Sequence, residues 1–172
     1  DAVGLADRAA ELCSALSHGE KRLLEIAVSL ATDARLLLLD EPLAGLAESD
    51  REVVGALIRR LATTHSVFLI EHDIDRVLAL SDRITVLHQG RIIADGKPAA
   101  VARNRDVVTA YLGDAEAAAP VNVARLRPNR QAQAEATPLL RLEGVRSGYG
   151  GGIVLDGVDM IVRPGEVVAL LG

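Results

Sequence analysis

The side chains able to do chemistry gather at three places in the first half of the sequence. Asp40 and Glu41 follow four leucines, Leu36 to Leu39; Glu71, His72 and Asp73 follow Val67-Phe68-Leu69-Ile70; and Ser17-His18-Gly19-Glu20 precedes an apolar series at helical spacing. An acid at the end of an apolar strand can hold Mg²⁺ on a nucleotide phosphate while its neighbour polarises a water. It can equally cap the next turn. His72 can donate to a phosphoryl oxygen or anchor a turn. Ser17 and Glu20 have the Ser-x-x-Glu form of a capping box, and a helix start there offers free N–H groups and a positive dipole end to an anion. An ordinary N-cap needs nothing more than the same residues.

These groups must be held by particular elements. Leu23, Ile26, Ala27, Leu30 and Ala31 recur at helical spacing and predict a helix from about Ser17. The run Arg35 to Asp40 predicts a parallel strand buried on both faces. Pro42 and Gly45 predict a loop, and Ser49 with Glu52 a second capping box opening a helix to about Leu61. Val67 to Ile70 predicts another buried strand, and a short helix runs to Leu80. The order strand, helix, strand, with polar residues at strand ends, is that of an α/β sheet whose site lies beyond the carboxyl ends of its strands. Arg83 to His88 and Arg91 to Ala94 read as strands about the turn Gln89-Gly90, and Lys97 to Leu112 as helix. Residues 113–138 lose the apolar pattern and read as a linker. Leu139 to Val145, Ile153 to Val162 and Glu166 to Leu171 read as strands that begin a second domain, too short to close a core alone.

Composition narrows the function classes. The chain has 172 residues, 49% of them hydrophobic and 25% charged, which suits a folded domain. Aromatics are only 2% and the net charge is -5. Base stacking and a basic phosphate-binding face are therefore both lacking, which argues against a nucleic-acid partner. The single cysteine, Cys13, cannot form an internal disulfide, and four scattered histidines supply no zinc cluster. The aliphatic runs fall far short of the ~18 residues of a membrane span, and no basic stretch followed by an apolar one marks a signal peptide. A reducing, cytoplasmic setting without membrane insertion is expected, and the sequence reads as cut at both Asp1 and Gly172.

Taken in order, Leu16-Ser17-His18-Gly19-Glu20-Lys21-Arg22, Leu36 to Pro42 and Glu71-His72-Asp73 resemble the signature sequence, the Walker B strand with its glutamate, and the switch histidine of the ABC ATPase family. The resemblance runs from Cys13 to Gly113. It implies an α/β fold: the C-terminal part of a P-loop NTPase domain over residues 1–112, with a parallel sheet and flanking helices. Residues 139–172 resemble the N-terminal β part of another such domain, in which Gly148-Tyr149-Gly150 would present Tyr149 to adenine and Val167 to Gly172 would lead into the phosphate loop. A glycine-rich hairpin with an incidental tyrosine is the alternative there. A dinucleotide fingerprint is rejected because Ile153 stands where its last glycine belongs.

The resemblance implies ATP and Mg²⁺ as cofactors, with Asp40 as metal residue, Glu41 as general base and His72 at the γ-phosphate. It implies Ser17, Gly19, Glu20, Tyr149 and Gly172 as nucleotide-binding residues, and sorts these into the opposite site of a two-domain sandwich. Within the family, Leu16 to Glu20, Asp40 to Leu46, Val86 to Gly90 and Ala110 to Gly113 are similar to ATPases of branched-chain amino-acid and urea uptake. That implies an importer motor, peripheral on the inner face of the plasma membrane, with permease subunits and a second ATPase domain as partners. An interaction fragment without catalysis is the competing expectation. His18 replaces a signature glycine, Glu20 a glutamine, and Ala47 the acid that follows Walker B. No Gly-x-x-x-x-Gly-Lys-Ser/Thr loop occurs in the sequence; its copies would lie before Asp1 and from Gly172 onward, so the 172-residue chain alone is expected to hydrolyse little.

Overall fold

A computed structural model describes residues 2–112 and 136–172. The linker expected at 113–138 lies almost wholly outside the described residues. Helix α1 (His18–Leu30) starts with the expected capping box: Ser17 Oγ accepts the Glu20 N–H at 3.2 Å, and the Glu20 carboxylate accepts the Ser17 N–H at 2.7 Å. Strand β1 (Leu36–Asp40) follows, then α2 (Glu48–Leu61), β2 (Ser66–Glu71) and α3 (Ile74–Leu80). Next come β3 (Arg83–His88), β4 (Arg91–Gly96), the short helices α4 (Pro98–Val101) and α5 (Arg105–Val107), and a π-type turn over Val108–Leu112. The last elements are β5 (Leu140–Tyr149), β6 (Gly152–Val162) and β7 (Val167–Leu171).

Two local expectations are corrected. Helix α2 begins at Glu48 with Ala47 as its cap residue and no side-chain cap, so Ser49 and Glu52 do not form a capping box. Leu46 is buried and anchors the chain directly before the helix, while Glu48 and Asp50 place negative charge in its first turn, where the dipole favours it. The single helix expected over Lys97 to Leu112 is broken. Pro98 opens α4, and Asn104 accepts the Asp106 N–H at 2.8 Å to start α5 separately.

The main sheet has the order β1-β2-β7-β3-β4. Its first four strands are parallel, and β4 is antiparallel to β3. Strands β2 and β3 do not pair with each other; β7, from the far end of the sequence, lies between them. Strand β7 thus fills the slot between them. Strand β7 is buried on both faces, as its uninterrupted apolar sequence demands. Val167, Ala169 and Leu171 enter the main core with Leu37, Leu69, Ile84 and Val86, while Val168 packs with Met160 and Val162 on the other face.

Strand β1 departs from expectation. It is an edge strand with Leu38 64% exposed, so only one of its faces is covered.

Polar groups fix the far segment in place. Arg83 bridges the buried Glu166 at 2.7 Å and Asp95 at 2.8 Å. The Val167 N–H donates to Asp82 Oδ2 at 2.9 Å, and the Gly165 N–H to Ser66 Oγ at 2.8 Å. The β5–β6 hairpin meets the β3–β4 turn, where the Asp156 N–H donates to the Gly90 carbonyl at 2.9 Å. Among the described residues, no helix is long and apolar enough to cross a membrane.

Candidate functional site

The register of the sheet brings the strand ends together. Asp40 pairs with Ile70 and Glu71 with Leu171, so β1, β2 and β7 finish within a residue of one another. The chain leaves this carboxyl edge at Glu41, His72 and Gly172. Open α/β sheets place their ligands at such an edge.

Glu41 takes a left-handed backbone with φ 42°, uncommon for a residue with a side chain. Two links hold it there. Its N–H donates to the Ile70 carbonyl at 3.0 Å, and its carbonyl accepts the Ala44 N–H at 3.1 Å. The bend aims the carboxylate at β2, where His72 Nδ1–H donates to Glu41 Oε1 at 3.2 Å. Both side chains stay about half exposed or more, 50% for Glu41 and 61% for His72, so the pair is accessible. Asp40 is exposed beside them at the end of β1. His72 is held from the following side as well, because Asp73 caps α3 by accepting the N–H groups of Asp75 at 3.1 Å and Arg76 at 3.2 Å.

Glu71 has no role in the motifs legible in the sequence. It is 2% exposed, and its Oε1 accepts the Leu43 N–H at 3.1 Å, tying the loop after Glu41 to the end of β2. Burial pushes its carboxyl above the usual range, opposed by the Leu43 N–H and by His72. The signal was present: an acid as the last residue of an apolar strand has to be buried or turned outward, and only its neighbours in space decide which.

The remaining sites of interest lie elsewhere. Gly19 is buried at the start of α1, and a Cβ there would meet the Asp50 carboxylate carbon at 2.6 Å, so a larger residue would have to displace the Asp50 side chain of α2. Ser17 and Glu20 are engaged with each other in the cap, and Arg8 pairs with Glu20 at 2.7 Å. The Ser17 N–H bond is the main cause holding the Glu20 carboxyl below its ordinary range. Tyr149 stands 86% exposed at the tip of the β5–β6 hairpin, and no described contact joins it to the Glu41–His72 pair. Among the described residues, no group of three or more His, Cys, Asp or Glu could enclose a metal ion. Asp40 offers a single carboxylate, which suits Mg²⁺, an ion that keeps several waters and takes its other ligands from phosphates.

Known proteins resemble this chain in sequence and in fold. Residues 1–44 match the family described as ABC transporter, and residues 91–117 the family described as branched-chain amino acid ATP-binding cassette transporter. The high-affinity branched-chain amino acid transport ATP-binding protein BraF of Pseudomonas aeruginosa is 44% identical over 115 residues, 66% of this chain and 45% of its own length. LivG of Escherichia coli, described in the same words, is 42% identical over the same shares. The chain thus spans about half the length of the curated relatives it matches. Among solved structures, the ATP-binding cassette MJ1267 in its ADP conformation superposes with a TM-score of 0.52 at 32% identity, over 58% of this chain and 41% of that one. An inward-facing metal-chelate type ABC transporter matches with a TM-score of 0.58 over 92% of this chain and 53% of its own; at 18% identity it speaks for the fold alone. Order of motifs, matched segments and sheet agree: the chain belongs to the family of ABC transporter ATP-binding proteins and carries a portion of the P-loop NTPase fold.

Proposed function

We propose that the complete protein hydrolyses ATP to drive a membrane permease that imports branched-chain amino acids. The observation that carries this reading is the 3.2 Å contact between Glu41 and His72 at the sheet's carboxyl edge, one strand away from Gly172. The printed names of BraF and LivG, and the family match at residues 91–117, support the substrate class. Import of urea or amides, which the subfamily similarity also admits, is the second reading of the solute.

In this reading Glu41 is the general base, oriented by His72, and Asp40 holds the Mg²⁺ that screens charge on the phosphates. A neutral imidazole that donates through Nδ1 has only an acceptor at Nε2. His72 can therefore donate to a γ-phosphate oxygen while holding Glu41 only as the imidazolium. Ser17, Gly19 and Glu20 present a helix start to nucleotide, and Tyr149 offers its ring to adenine. The sequence reading assigned Gly172 to the opposite site of a two-domain sandwich; its position beside β2 favours the Asp40–Glu41–His72 site instead.

In the complete protein residues 139–172 would begin a second ATPase domain after the linker at 113–138, whereas in this chain their strand β7 fills a slot in the sheet formed by residues 36–96. The partners would be that domain and integral-membrane permease subunits, with the motor peripheral on the cytoplasmic face. The test is ATP hydrolysis and leucine uptake by the complete protein reconstituted with its permease. Glu41→Gln is expected to lower turnover at least 100-fold with nucleotide binding kept. Undiminished hydrolysis would overturn the assignment.

A further inference from the structure

We infer that Glu71 is a positioning residue for the Glu41–His72 pair, acting through the main-chain amide of Leu43. This rests on the reading of Glu41 and His72 given above. Glu71 and His72 are consecutive, so the side chain of one is buried beneath the sheet edge where the other is exposed. The loop that leaves β1 at Glu41 returns over the end of β2, and two hydrogen bonds join it to that strand. One is the Glu41 N–H to the Ile70 carbonyl; the other is the Leu43 N–H to Glu71 Oε1. They bracket Glu41 from both sides of its left-handed bend.

A left-handed conformation is disfavoured for a residue with a side chain. Surrounding bonds must hold it. The Ile70 carbonyl is a fixed main-chain group, present whatever side chains the sequence carries. Glu71 is the part that the sequence chooses. Its carboxylate is nearly inaccessible, and the charged groups that face it are Glu41 from the loop and His72, the residue after it. Strand β7 places Leu171 next to it in register. The same residue thus lies between the loop bearing the proposed general base and the strand that ends at Gly172. Loss of its acceptor would leave the Leu43 N–H buried without a partner and free the bend at Glu41 to relax, with His72 losing its carboxylate partner.

The test uses the full 172-residue chain and needs no nucleotide. Nuclear magnetic resonance would follow the His72 ring through a pH titration and the exchange of the Leu43 amide, in the parent, Glu71→Gln, Glu71→Leu and Glu41→Gln. Gln keeps an oxygen acceptor at the same reach. Glu71→Gln is expected to leave Leu43 exchange within about twofold of the parent and the His72–Glu41 coupling intact. Glu71→Leu is expected to speed Leu43 exchange at least tenfold and to move the His72 titration onto that of Glu41→Gln. If Glu71→Leu does not fold, Glu71→Asp, whose shorter side chain falls short of the Leu43 amide, takes its place with the same expectation. A Leu or Asp variant that loses stability while its His72 titration stays with the parent would overturn the inference, since Glu71 would then only support the fold. Hydrolysis by the complete Glu41→Gln protein would defeat the reading of the site and leave this outcome standing.

Discussion

Leu171→Ala tests whether the far end of the sequence belongs to the main sheet. Leu171 is fully buried, pairs in register with Glu71 on one side and Val86 on the other, and lies in the main core with Leu69 and Val86. Truncation of such a leucine removes its transfer free energy and leaves a cavity, about 2–5 kcal/mol together. A central strand gripped from both sides relaxes little, which favours the upper half of that range. With a urea dependence of about 2 kcal/mol per molar for a chain of this size, the unfolding midpoint should fall by roughly 1–2 M. The chain has no Trp, so far-ultraviolet circular dichroism is the appropriate probe, and it reports the helices α1 to α3 formed by residues 18–80. Leu12→Ala, at a side chain 77% exposed, is the control and should leave the midpoint unchanged. Were residues 139–172 a separate unit, the helices would not sense Leu171 at all. A midpoint shift below about 0.3 M would refute the insertion of β7.

Three more outcomes follow from local geometry. Gly90 has φ 78°, and a Cβ there would meet the Val154 carbonyl oxygen at 2.0 Å, so Gly90→Ala should destabilise by more than about 1 kcal/mol in the same urea assay and loosen the β5–β6 hairpin. Ser17→Ala removes the side-chain acceptor of the Glu20 N–H and should cost about 1 kcal/mol, read as a lower melting temperature. Glu71 binds its proton more tightly in the folded than in the unfolded chain, so its contribution is present below the ordinary carboxylate range and is lost as pH rises through the folded value. Stability of the parent relative to Glu71→Gln should therefore decline as pH rises above the ordinary carboxylate range; a difference that stays constant as pH rises would contradict the burial argument.

The elements were legible wherever a pattern was local. The capping box at Ser17 and Glu20, the apolar runs before Asp40 and Glu71, and the turn at Gln89-Gly90 each fix a short stretch through contacts within a few residues. Helix α2 was misplaced at its start because Ser49 and Glu52 imitate a cap, while the true start is set by Leu46 entering the core, a contact distant in sequence. The exposure of Leu38 was illegible for a related reason. Four leucines in a row suit a strand covered on both faces, and only the strand order reveals that β1 stands at the edge. Glu71 belongs to the same class, since its burial depends on Leu43, 28 residues earlier.

The candidate site shows how strand order and chain order come apart. The family resemblance associates Asp40, Glu41 and His72, which lie within 33 residues, and sorts Gly172 into the opposite site of a two-domain sandwich. Parallel strands pair by slot, however, and the connection from β2 through α3 to β3 leaves a gap one strand wide beside Glu71. An apolar strand such as Val167 to Leu171 fits that gap on both faces. Once seated it must end level with β1 and β2, because its hydrogen-bond register to β2 pairs Leu171 with Glu71. Gly172 therefore reaches the edge where Glu41 and His72 meet through strand pairing alone, whatever the length of the connection before it.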